Sequence, residues 1–166
     1  MHRGDETWQA KERISASYTP KDRPEPIDAR AVGQVEVAVA EEDPVIDVLL
    51  IEDDRDTLEM YRTKLELDGY RVHVAIDGVE GLERAKELRP DIIFLDVRLP
   101  KMDGFEVLRE LRQHEPTAET AVIILSNYGE RELVERGLKL GAMEFLVKAQ
   151  TSPLSLSEGI NEWLKE

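Results

Sequence analysis

The chain contains no cysteine. That absence excludes disulfides, thiol nucleophiles and cysteine-ligated metal centres. No apolar stretch approaches the roughly 18 residues that span a bilayer. The N-terminus, with Asp5, Glu6, Lys11, Glu12 and Arg13, has no apolar core of a secretory leader. Membrane insertion is therefore not expected, and a soluble cytoplasmic protein is the default expectation. Basic residues are short too: 22 Lys and Arg stand against 36 Asp and Glu, a formal net charge of -14. Phosphates would be repelled, so direct binding to nucleic acid or anionic membrane is not expected. What is present is 166 residues of ordinary apolar content. That is room for one ordinary domain and an appendage.

The appendage reads as residues 1–44. Pro20, Pro24, Pro26 and Pro44 punctuate it, and its charges follow no period. Trp8 to Ser15 has the makings of a short helix. Gln34 to Ala40 alternates like a strand, with Val35, Val37 and Val39 on one face. A flexible tail, a docking segment and the remnant of an upstream domain all fit this composition.

From Val45 onward, residues 45–166 read as one domain. Val45–Ile51 is a buried strand ending at Glu52-Asp53-Asp54. Asp54–Asp68 is a helix with Leu58, Tyr61 and Leu65 at helical spacing, closed by Gly69. Tyr70–Ala75 is a second strand. Asp77-Gly78 opens a helix carrying Val79, Leu82, Ala85 and Leu88, which stops before Pro90. Ile92–Leu95 is a third strand ending at Asp96, and Phe105, Leu108 and Leu111 mark a helix to about His114. Ala121–Leu125 is a fourth strand ending at Ser126. Glu130–Leu140 is a helix closed by Gly141, Met143–Val147 a fifth strand ending at Lys148, and Ser155–Lys165 a final helix. Five successive βα units imply an α/β fold: a five-stranded parallel sheet, doubly wound, with helices on both faces.

In such sheets, chemistry collects at the carboxyl ends of the strands. Those ends carry Glu52, Asp53 and Asp54, then Asp96, Ser126 and Lys148. Three close acids would repel and raise one another's pKa. A hard divalent cation, Mg²⁺ or Mn²⁺, resolves that conflict with oxygen ligands. An ammonium and a hydroxyl opposite the acids suit an incoming phosphoryl group, and a carboxylate beside a metal is the arrangement for an aspartyl-phosphate. Each residue also has a plain reading. Asp53 or Asp54 alone can cap a helix. Asp96 can begin a turn, Ser126 can cap the next helix, and Lys148 can be a solvated loop lysine.

At this point the sequence resembles the receiver domain of two-component response regulators, a CheY-like, flavodoxin-like (βα)5 fold, over roughly Asp47–Trp163. Val48-Leu49-Leu50-Ile51-Glu52-Asp53-Asp54 is similar to the family's first strand and acidic pocket. Leu95-Asp96-Val97-Arg98-Leu99-Pro100-Lys101-Met102-Asp103-Gly104 is similar to its phosphoacceptor strand and loop. Ser126 lies 30 residues beyond Asp96 and Lys148 lies 52 beyond it, as the family places its hydroxyl and its lysine. The resemblance implies that Asp96 is the phosphorylated residue and that Asp53 binds the metal directly. It implies Glu52 as a water-mediated ligand, with the Arg98 backbone carbonyl completing the protein's share. Phe145 matches the aromatic position whose rotamer changes with phosphorylation, though an aromatic in a strand is also ordinary core. Three features depart from the pattern. Ala149 stands where the family has a cis proline, which leaves the isomer of the Lys148–Ala149 bond open. Asn127 replaces a very small residue and, with Tyr128 and Arg98, crowds the mouth of the site. Residues 1–44 have no counterpart in the family.

The implied function is a phosphorylation-dependent switch. A sensor histidine kinase or phosphotransfer protein supplies the phosphoryl group, and an unnamed downstream protein reads the result. No DNA-binding domain is expected after the last helix, and Arg131, Arg136 and Lys139 are candidates for a partner face. Turnover of external substrates is not expected, because phosphohydrolases with aspartyl-phosphates commonly place a second acid where Arg98 stands. The alternative is a phosphorylation-independent interaction module with a relict acidic pocket. A flavin-binding domain is disfavoured by the absence of a Ser/Thr/Gly-rich loop after the first strand.

Overall fold

The computed structural model describes residues 42–165. The helix expected at Trp8–Ser15 and the strand expected at Gln34–Ala40 lie outside the described residues. Within them the elements alternate as β1 (Asp47–Ile51), α1 (Arg55–Leu67), β2 (Arg71–Ala75), α2 (Gly78–Leu88), β3 (Ile92–Leu95) and α3 (Gly104–Gln113). A 3-10 turn at Glu115–Thr117 leads to β4 (Ala121–Ser126), α4 (Arg131–Lys139) and β5 (Glu144–Val147). A second 3-10 turn at Lys148–Gln150 leads to α5 (Pro153–Leu164). The strands form one parallel sheet in the order β2-β1-β3-β4-β5. This is the doubly wound parallel sheet that the sequence pattern implied, in the flavodoxin-like order that the family resemblance implied.

The two faces of the sheet are written in the strands' alternation. Leu49, Ile51, Ile93, Leu95, Val122 and Ile124 face α2 and α3, in a cluster that includes Leu82, Ala85, Phe105, Leu108 and Leu111. Val48, Leu50, Ile92, Phe94, Ile123 and Leu125 face α1 and α5, with Tyr61, Leu65, Leu156 and Ile160. Every residue of β3 and β4 is buried. Each such aliphatic or Phe side chain contributes about 1.5–3 kcal/mol by leaving water. Central position explains why these two strands read as unbroken apolar runs, while the edge strands β2 and β5 are only partly covered.

Element ends follow local chemistry. Asp54, Asp77, Asp103 and Ser152 cap the helices that follow them, each side chain accepting from a backbone N–H three residues on. Gly69 and Gly141 follow α1 and α4 with φ of 96° and 104°. The last helix begins two residues earlier than the expected Ser155, because Ser152 caps it and Pro153 takes the first turn, where no N–H is needed. No described helix is long and apolar enough to cross a membrane.

Candidate functional site

Strand order reverses about β1 and β3, so the chain leaves them toward opposite sides and opens a crevice at their carboxyl ends. The backbone fixes the crevice walls: Asp96 N donates to Ile51 O at 3.1 Å, and Glu52 N to Ala75 O at 2.9 Å. Of the three acids after β1, Asp54 turns away to α1. Its carboxylate accepts from Thr57 N at 3.1 Å and from the Thr57 hydroxyl. The capping role thus falls to Asp54, and Glu52 and Asp53 remain at the crevice.

Glu52 and Asp96 are buried, 7 % and 6 % exposed, whereas Asp53 is exposed. Carboxylate oxygens of all three lie within 4.8 Å of one another. Lys148 Nζ donates to Glu52 Oε2 at 2.6 Å and to Asp96 Oδ2 at 3.1 Å. One ammonium faces two buried carboxylates, with Asp53 adding a third negative charge at the rim. An all-oxygen, net-negative donor set of this kind fits a hard divalent cation.

The electrostatic balance differs from the sequence expectation in its cause. Burial, rather than repulsion among the acids, is the largest influence on Glu52. It lifts that carboxyl to about 7 against the pull of Lys148, with Asp96 adding a smaller upward push. Asp96 is also raised by burial first, opposed by Lys148 and reinforced by Asp53. Burial alone would lower Lys148. Its bond to Glu52 and the charge of Asp96 carry it above its ordinary value instead.

Ser126 ends β4 at 1 % exposure. Its hydroxyl oxygen accepts from Tyr128 N at 3.1 Å, so it orders its own loop and does not cap α4, whose cap position is Glu130. Its O–H remains a donor. Asn127, Tyr128 and Arg98 are exposed. The Arg98 guanidinium lies 4.2 Å from the Tyr128 ring centroid, a cation–π stack that joins the loop after β3 to the loop after β4. Phe145 is partly buried opposite Ile124. Its ring lies against Gly137 of α4, where an added Cβ would come within 3.0 Å of it. No cis peptide bond occurs among the described residues, so Lys148–Ala149 is trans, and Lys148 still reaches both acids.

Sequence reasoning missed two supports. Tyr61 was read only as an apolar helix position, yet its hydroxyl donates to Thr151 O at 2.8 Å and ties α1 to the loop after Lys148. The available signal was its phenol, since a buried Tyr hydroxyl needs a partner. Gly104 was read only as part of a turn. Its N donates to Val97 O at 2.7 Å, and a Cβ there would stand 2.1 Å from Asp96 O. Only glycine lets α3 approach the backbone of the Asp96 loop so closely.

Comparison with known proteins identifies the family and the fold. The family model of the response regulator receiver domain matches residues 48–157. The chain is 40% identical over 101 residues to the DNA-binding dual master transcriptional regulator RpaA of Synechocystis, covering 61% of this chain and 42% of that protein. It is 38% identical over 124 residues to protein-glutamate methylesterase/protein-glutamine glutaminase 1 of Myxococcus xanthus, covering 74% of this chain and 35% of that protein. The chain therefore spans less than half the length of these relatives. Among solved structures it is similar to the chemotaxis response regulator CheY4 of Vibrio cholerae, with a TM-score of 0.67 and 30% identity over 72% of this chain and 99% of that one. A response regulator from Chloroflexus aurantiacus J-10-fl, described as putative, gives 0.69 and 28% over 74% and 100%. The chain belongs to the response regulator receiver domain family of two-component signalling.

Proposed function

We propose that this chain is a phosphorylation-driven switch whose acceptor is Asp96. The observation that carries the reading is the buried Asp96 carboxylate held 3.1 Å from Lys148 Nζ, with Glu52 and Asp53 beside it. The donor is the phosphohistidine of a sensor histidine kinase or phosphotransfer protein. An Asp96 oxygen attacks phosphorus as the P–N bond breaks, and the imidazole nitrogen leaves with the bonding pair and takes a proton from solvent. Glu52, Asp53, Asp96 and the Arg98 backbone carbonyl would hold Mg²⁺ or Mn²⁺, which when bound screens the repulsion between carboxylate and phosphate.

The chain's own residues do the rest. Lys148 follows Asp96 and pairs with the new dianion, releasing Glu52. Ser126 donates its O–H to a phosphoryl oxygen. Its movement makes room for Phe145 to turn inward, which remodels the surface of α4 and β5, including Arg131, Arg136 and Lys139. Arg98, Asn127 and Tyr128 govern water's approach to the mouth. The output of this domain is protein–protein contact, since the chain's net charge of -14 disfavours direct binding to nucleic acid. Arg98, two residues beyond the acceptor, supports self-limited phosphorylation and dephosphorylation rather than turnover of an external substrate.

Beryllofluoride with Mg²⁺, which mimics a phosphoryl group, tests this by amide NMR. Saturable shifts at Ser126, Phe145 and Lys148, lost in Asp96→Asn, are expected. Unchanged spectra of the unsubstituted protein would instead favour the relict-pocket interaction module.

A further inference from the structure

The loop that leaves Asp96 is held at two places. At its base, Gly104 packs on the Asp96 carbonyl, as described above. At its tip, the turn Pro100–Met102 lies against the N-terminus of α2. Gly78 N donates to Pro100 O at 3.1 Å. The fit there is close: a Cβ on Gly78 would stand 1.8 Å from Met102 O and 2.7 Å from Met102 C. Asp77, 8 % exposed, caps α2 by accepting from Glu80 N at 2.7 Å and also meets Lys101 Nζ at 3.3 Å. Its carboxyl is held below its ordinary value by the Glu80 N–H first and by Lys101 after burial's opposing push. Lys101 itself sits at φ 69°, a left-handed conformation that a lysine adopts only when its surroundings impose it.

We propose that Asp77-Gly78 is a positioning clamp for the acceptor loop: the start of α2 sets the height of Pro100–Met102, and through it the placement of Arg98 in the cation site. The inference rests on the reading of Glu52, Asp53, Asp96 and the Arg98 carbonyl as that site. Asp77 and Gly78 touch neither cation nor phosphoryl group and act through the loop. A surface ion pair such as Lys101–Asp77, with Lys101 mostly exposed, contributes little alone. The backbone contact at Gly78 is the stronger element, because two backbones cannot yield as a flexible side chain does.

The test compares Gly78→Ala with Ile160→Ala. Gly78→Ala displaces the turn Pro100–Met102. Ile160 of α5 is fully buried in the core on the face of the sheet opposite α2, so Ile160→Ala opens a cavity there and does not press on the turn. Mg²⁺ affinity is measured by fluorescence or amide NMR on the full chain, with thermal unfolding in EDTA recorded for each protein. Gly78→Ala is expected to weaken Mg²⁺ binding by about 10- to 100-fold, the range that outer supports of metal sites carry. The amides of Arg98, Leu99, Lys101 and Met102 should shift in the same variant. Ile160→Ala is expected to lower the unfolding temperature while keeping Mg²⁺ affinity within about twofold. Equal Mg²⁺ affinity in Gly78→Ala and the unsubstituted protein, or equal losses in both variants, overturns the clamp alone. Absence of Mg²⁺ binding by the unsubstituted protein overturns the reading of the acidic site and the clamp with it.

Discussion

Lys148→Met isolates the electrostatics of the site. The substitution keeps an apolar stem and removes the one ammonium between two buried carboxylates, held at 2.6 and 3.1 Å. Removing one partner of a buried pair costs about 3–5 kcal/mol when the remaining charge stays buried and unpaired. Here the remaining groups can escape the penalty by taking protons. Lys148 now pulls both carboxyls down, so without it both rise further. An acid whose folded value is raised binds extra protons in the folded state, and folding then loses stability as pH climbs from the unfolded value through the folded one. The cost of Lys148→Met is therefore predicted at about 3–5 kcal/mol near pH 8 and less than half of that near pH 5. Urea unfolding in EDTA, followed by circular dichroism, measures it. A cost that is the same at both pH values, or below about 1 kcal/mol at pH 8, as for an exposed pair, would refute the reasoning. Excess Mg²⁺ should restore more stability to the variant than to the unsubstituted protein, because a cation then replaces the missing one.

Three further outcomes follow from the same geometry. The unsubstituted, metal-free protein should lose stability between about pH 5 and pH 7, by up to roughly 3 kcal/mol at 1.4 kcal/mol per pH unit, because burial lifts Glu52 from 4.5 to about 7. Glu52→Gln should flatten that slope, and a slope retained in the variant would assign it elsewhere. Ser126→Ala should lower beryllofluoride affinity by roughly ten- to hundredfold, since a hydrogen bond to a charged group is worth about 1.5–3 kcal/mol; isothermal titration reads this. A double-mutant cycle of Arg98→Ala and Tyr128→Ala should give a coupling of about 0.5–1 kcal/mol in unfolding free energy, the value of an exposed cation–π pair, where additivity would show the stack to be idle.

Much of this fold is legible because its central strands are buried on both sides. Ile92–Leu95 and Ala121–Leu125 have nothing to alternate against, so they read as apolar runs that end where the chain meets the crevice at Asp96 and Ser126. The helices read through their spacing and caps. What stayed illegible depends on distant partners. Nothing in Tyr61's neighbours points to Thr151. Arg98 and Tyr128 were both placed at the mouth, but their stacking depends on the approach of two loops. The capping role that the sequence left open between Asp53 and Asp54 falls to Asp54, because the N–H and hydroxyl of Thr57 draw its carboxylate into the cap. The origin of the raised carboxyls also needed the structure, since the depth of burial outweighs the charges that the sequence displays.

The central claim, that Asp96 accepts a phosphoryl group in a Mg²⁺-dependent reaction, is tested most directly by intact-protein mass after incubation with acetyl phosphate and Mg²⁺. The account predicts the mass of one added phosphoryl group, absent in Asp96→Asn and in a sample treated with EDTA. An addition that survives either control, or no addition in a protein that also fails to bind beryllofluoride, would contradict it.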